Sequence, residues 1–210
     1  RHAKHMTTDN PQGEPIRVVE LEDYSRQYRY LLQLTREFSR STAILYRNND
    51  SALPLIDLLD RQGTAYRCRK MDDTYFTHRI VTDILDIIAF AHDGRNAEVF
   101  LRIYYKCGGG ISKKAAEYAC EKSRSSGKPI LEELLRFPQL SAFARDSVTD
   151  LIDLLPQILQ DTAQRGLDCI WRELRYKDYV DQQKLDTNKF GILCLLARQE
   201  PSMDALLTRL

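Results

Sequence analysis

The chain has 210 residues, room for one or two domains, and 43% of them are apolar, which excludes disorder throughout. Lys and Arg number 31 against 30 Asp and Glu, so the net charge of +1 excludes a wholly basic nucleic-acid coat but leaves room for a basic patch. No apolar run approaches the roughly 18 to 20 residues of a membrane span, so no membrane partner is expected, and Arg1-His-Ala-Lys-His-Met6 lacks the hydrophobic core of a signal peptide.

The first third predicts alternating strand and helix. After a loop holding Asn10, Pro11, Gly13 and Pro15, the β-branched run Ile16–Leu21 reads as a strand. Tyr24, Tyr28, Leu31, Leu32 and Phe38 recur at helical spacing over roughly 24–39. Residues 42–47, Thr-Ala-Ile-Leu-Tyr-Arg, are nearly continuously apolar, the pattern of a strand buried on both faces. Asn48, Asn49, Asp50 and Ser51 supply cap residues for a helix carrying Leu55, Ile56, Leu58 and Leu59, which Gly63 closes. Residues 65–69 read as a third strand. The β-α-β-α-β order implies a parallel sheet with crossover helices.

The remainder predicts helices. One holds Ile80, Ile84, Ile87, Ile88 and Ala91 and ends at Asp93-Gly94; the next runs from Ala97 to Tyr105. Residues 106–112 form a glycine turn, and Lys113 opens a further helix. A short helix covers 131–136. A strong stripe (Val148, Leu151, Ile152, Leu155, Ile158, Leu159) follows, with a kink expected at Pro156, and helices over 166–175, 187–198 and 201–210 complete the chain. The overall expectation is a piece of α/β sheet followed by an all-helical domain, the boundary falling near 75–84.

Cysteines at 68, 107, 120, 169 and 194 show neither CxxC pairing nor zinc spacing, and fit free thiols in a reducing cytosol, most of them small buried hydrophobes. No Walker A loop, GxSxG or HExxH is present, His78 and His92 have no metal-like surroundings, and Asp83 and Asp86 read as helix-surface carboxylates. Charge, however, is uneven. Residues 102–128 hold seven basic residues and two acids, whereas 129–168 hold seven acids and three basic residues. The basic stretch centres on the glycine turn, where free amides, a helix dipole, Lys113 and Lys114 suit a phosphate; an ordinary solvated surface with a flexible turn explains the same composition.

Several motifs then occur in a recognisable order. Ile44-Leu-Tyr-Arg-Asn-Asn49 resembles the LYRxN segment of UvrD/Rep-type superfamily 1 DNA helicases. Upstream, Arg1-His-Ala-Lys4 followed by Gly13 is similar to that family's R-x-x-K…G stretch. Downstream, Arg61-Gln-Gly-Thr-Ala-Tyr66 resembles its G-I-P-Y region, Tyr75-Phe76 its F-F, and Asp83 the final Asp of F-F-x-R-x-E-I-K-D. Phe100-Leu-Arg-Ile103 resembles F-x-R-I, and Gly110-Ile111 falls at R-G-I-G. The resemblance covers about 115 residues. Ile80 and Thr82 replace the Glu and Lys of E-I-K-D. Gly109 stands for the Arg before Gly-Ile, and Ser112 for the second Gly.

This resemblance implies a fragment: part of RecA-like domain 2A over residues 1–77, then helical subdomain 2B over 78–210. The lack of an initiator Met agrees with a chain cut from something longer. The implied parent is a cytoplasmic, nucleoid-associated bacterial helicase or translocase of 3′→5′ polarity, using ATP and Mg²⁺. The Walker motifs are absent here, so the isolated chain is not expected to hydrolyse ATP and holds no cofactor or metal of its own. Its implied partners are single-stranded DNA, a duplex junction and the remaining helicase domains. Arg47 and Asn49 would face single-stranded DNA, while Tyr46 packs inside. Gly110, Ser112, Lys113 and Lys114 would meet duplex phosphates. The rival expectation is a non-enzymatic interaction module that docks a protein through its acidic 129–168 face.

Overall fold

The computed structural model describes residues 9, 13, 15–37, 42–68 and 74–210. Eleven α-helices are present among them: α1 (Tyr24–Glu37), α2 (Leu53–Arg61), α3 (Arg79–His92), α4 (Ala97–Ile103), α5 (Lys113–Ser126), α6 (Ile130–Leu135), α7 (Ala142–Gln160), α8 (Ala163–Asp168), α9 (Tyr176–Gln182), α10 (Asn188–Ala197) and α11 (Met203–Arg209). A 3-10 turn (Asn49–Ala52) leads into α2, and a π-turn (Cys169–Glu173) prolongs α8.

The expected partial RecA-like sheet does not form. Among the described residues there is no strand: 16–21, 42–46 and 65–68 have no regular secondary structure, and Arg69 lies outside the described residues, as do 1–4 of the upstream motif and 38–39 of the first helix. Ile16 is 94% exposed, Val18 82% and Leu45 93%, the opposite of a strand buried on both faces. β-branched content records how well a residue fits a pleated, half-buried surface; with no neighbouring strand to take the backbone groups there is no such surface. Tyr46 is half-exposed rather than packed inside, and its hydroxyl reaches the Cys68 sulfur at 3.7 Å.

The main core begins at Ile80. Ile80, Ile84, Ile87 and Ile88 fall at i, i+4, i+7 and i+8 and put one wholly buried face of α3 against α4, α7 and α10. Short polar residues set the helix starts: the Asn96, Ser112, Ser141, Thr162 and Ser202 side chains each accept from the backbone N–H three residues on. Gly127, in the left-handed region, closes α5. Pro156 does not end α7; it lies on the exposed face, where its missing N–H costs least. Gly166 lets α8 approach α7 closely, since a Cβ there would lie 2.6 Å from the Ile158 carbonyl oxygen. A smaller core, formed by Tyr28, Leu32, Leu55 and Leu59 with Ile44 and Leu195 against them, joins α1 and α2 to α10.

The expectation for Asp83 is also corrected. Its carboxylate is buried, with Oδ1 2.6 Å from the Lys106 ammonium, while Oδ2 accepts a 2.8 Å hydrogen bond from the Tyr176 hydroxyl. Asp86, one turn away, remains accessible in a bidentate pair with Arg102. Breaking a buried pair strands a charge, whereas a surface pair contributes little. Asp83→Asn is therefore expected to destabilise the chain by about 3 kcal/mol and Asp86→Asn by under about 1 kcal/mol, read from urea midpoints at an unchanged m-value.

Burial also pushes the Cys107 thiol up to about 12 and the Cys169 thiol up to about 11. A disulfide-exchange reagent at pH 8 should label the half-buried Cys68 before Cys107, Cys120 or Cys169. Mass spectrometry of partially labelled protein checks the order.

Candidate nucleic-acid interface

Two separate surfaces carry the residues singled out in the sequence. The first is the segment 47–51. The Tyr28 hydroxyl donates to the Ser51 carbonyl at 2.8 Å, the Ser51 hydroxyl donates to the Asn48 carbonyl at 2.6 Å, and the buried Asp50 pairs with the Lys189 ammonium. These bonds hold the 3-10 turn from beneath, and Arg47, Asn48 and Asn49 stand exposed above it. At the far end of α2, Arg61 pairs with Asp57 and Glu200, and Arg209 with Asp57 and Asp60. Arg47 has no ion pair among the described residues.

The second surface is the glycine turn. Gly108 and Gly110 have φ of 70° and 76°, a region that a side chain makes costly. The Phe143 ring, 59% exposed, lies over the turn: a Cβ on Gly109 would sit 2.8 Å from it, and one on Gly110 2.9 Å. The Gly109 N–H donates to the Ser147 hydroxyl at 2.9 Å and the Gly108 N–H to the Leu174 carbonyl at 3.0 Å. Two amides of the turn are thus consumed inside the protein. What remains for an anion is the start of α5. There the Ser112 hydroxyl accepts the Ala115 N–H at 3.2 Å as the N-cap, keeping its own proton to donate. Lys113 and Lys114 are exposed beside it. Lys113 is 3.7 Å from Glu117, and Lys114 has no ion pair among the described residues.

The basic stretch is smaller in space than in sequence. Lys106 is buried against Asp83, and Arg102 is bound by Asp86 and Glu98. On the other side of the turn, Asp146, Asp150 and Glu173 outnumber Arg175, itself paired with Asp178, in a groove of about 100 Å³ that includes Gly108 and Phe143. A phosphate is thereby repelled from the Gly108 end and favoured at Lys113 and Lys114.

The two surfaces rest on different supports. The 3-10 turn packs on α2 and α10, whereas α5 packs on α4 and α6. Phe143 and Ser147 are the supporting residues missed in the sequence. They share one face of α7 at i and i+4, but nothing local ties that face to a turn some 35 residues earlier. His78 serves as the α3 cap through Nδ1, and His92 meets Asp204 at 3.0 Å. Among the described residues no group of three or more His, Cys, Asp or Glu is arranged to hold a metal, and no helix is long and apolar enough to cross a membrane. In comparisons with known proteins, the sequence matches no family model and no curated protein significantly.

The glycine turn yields a direct test. Gly110→Ala adds a Cβ at positive φ against Phe143 and should cost about 2 kcal/mol. Gly110→Ala/Phe143→Ala should cost less than the sum of the two single substitutions. A double-mutant cycle in urea measures that coupling.

Proposed function

We propose that this chain is a DNA-contacting part of an ATP-dependent DNA helicase or translocase of UvrD/Rep type, acting in the bacterial cytoplasm at the nucleoid. In this reading the chain hydrolyses no ATP itself; ATP, Mg²⁺ and the motor strokes of 3′→5′ movement belong to other parts of a longer protein. Arg47 and Asn49 grip the single strand. Ser112, Lys113, Lys114 and the amide end at Gly110 meet the duplex backbone near the junction. The observation that carries the reading is Arg47: in the one segment matching LYRxN, it stands exposed, with no ion pair among the described residues, beside a turn held by the Asp50–Lys189 pair and the Tyr28–Ser51 hydrogen bond. A guanidinium so placed suits a phosphate, and the Asn49 amide suits a sugar or base edge.

A second reading, a protein-docking module, draws support from the acid-lined groove of Asp146, Asp150 and Glu173. A salt titration separates the two. By fluorescence anisotropy, the chain should bind a 3′-tailed duplex with a log–log salt slope of about −0.9 per duplex phosphate contacted and about −0.7 per single-strand phosphate. Lys113→Glu/Lys114→Glu should weaken duplex binding and reduce that slope by about 2, while Arg47→Ala should weaken binding to the single strand alone. Tailed-duplex affinity unchanged in all these variants would sink the DNA reading and favour docking.

A further inference from the structure

Beside the segment 47–49 lies a cavity of about 440 Å³, within the size range of small-molecule pockets. Its walls come from the start of α1, the 3-10 turn, residues 186 and 187, and α10. The Asp50–Lys189 pair and the Tyr28–Ser51 hydrogen bond lock these elements together, so the cavity is preformed.

Its chemistry favours a neutral, planar, polar occupant. Asp50 and Lys189 neutralise each other. Asp23 is occupied as the cap of α1, accepting the Arg26 N–H at 2.8 Å, a bond that with other nearby donors and charges holds its carboxyl below the usual range. Asp186 accepts the Asn188 N–H at 3.0 Å. Asp23 and Asp186 keep their negative charges, but the exposed Arg198 guanidinium on the same wall offsets part of them, so the net charge facing an occupant is small. The cavity does offer two amides, Asn48 and Asn188, hydroxyls of Ser25 and Thr187, and the carboxylate edge of Asp186. Tyr24, 69% exposed, supplies an aromatic face, and Arg198 adds an exposed guanidinium with no ion pair among the described residues. An aromatic face with amide and carboxylate groups on the same walls matches a nucleobase, which stacks on one surface and presents donors and acceptors along its edge.

We propose that this cavity receives one base of the single strand, turned out of the stack, while the flanking phosphates lie outside on Arg47. The proposal rests on the single-strand grip assigned above and adds to it a site for a base. Asn48 joins the two, since it lines the cavity and lies between Arg47 and Asn49.

The experiment compares a mixed-sequence 12-nucleotide DNA strand with the same backbone lacking all bases, each titrated by anisotropy into the full chain. The base-bearing strand should bind about tenfold or more tightly than the abasic one. Tyr24→Leu and Asn48→Ala should lose most of that advantage and leave abasic binding unchanged. Tyr24 is exposed, and Asn48 makes no side-chain cap bond, so neither substitution removes a structural contact; thermal unfolding by circular dichroism verifies this. Equal affinity for the two strands, with Arg47→Ala weakening both, would overturn the base pocket and leave the grip standing. Binding of neither strand would overturn both.

Discussion

Asp83 lies 3% exposed in the first half of α3, and a carboxylate so placed is tolerated only if its lost hydration is replaced. Lys106 and Tyr176 replace it. Lys106 comes from the end of the α4 segment and Tyr176 from the first turn of α9, so three stretches distant in sequence meet at one charge. Burial, and then the Asp83 charge, push the Tyr176 hydroxyl well above its ordinary range, which keeps it a donor at any working pH. The glycine turn depends on this point. It begins two residues after Lys106, and its first amide bonds to Leu174, two residues before Tyr176. The leading end of the turn is therefore fixed through two neighbours of the same carboxylate.

That anchoring decides what the turn offers. With Gly108 and Gly109 bonded inward and Phe143 over the backbone, the loop is a shaped support and not an open nest of amides. Charge is sorted on either side of it, acids at Gly108 and lysines at the start of α5. The segment 47–51 follows the same plan by other means, since a buried ion pair and two hydroxyl bonds fix the chain and leave its cation outside.

The helices were legible wherever a long apolar stripe met a capping residue. α3 and α7 announce themselves by isoleucine, leucine and valine spacing. α9 was not legible. It is seven residues long, it is entered through Arg175 in the left-handed region, and its buried Tyr176, Tyr179 and Val180 are interspersed with charged residues. The three strands were misread because a β-branched run reports a local preference, whereas a strand requires partners, and none of the described residues supply them. At the candidate sites, the exposure of Arg47, Asn49, Lys113 and Lys114 followed from their types. The burial of Lys106 and Asp83 did not, because a charged residue carries no local mark of a partner 23 positions away.

The contact between α2 and the bundle is made largely of charge: Arg61 with Glu200, Arg209 with Asp57 and Asp60, and Lys189 with Asp50, around the modest apolar contribution of Leu195. Parting such a seam hydrates ions more than hydrocarbon. Apolar exposure raises the heat capacity and polar exposure lowers it, so the two contributions oppose each other and little net change remains. The free-energy difference between joined and parted forms is accordingly almost linear in temperature, with little curvature. The main core, built on the isoleucines of α3, has the steep curvature that buried hydrocarbon confers. Two thermal characters thus coexist in one chain.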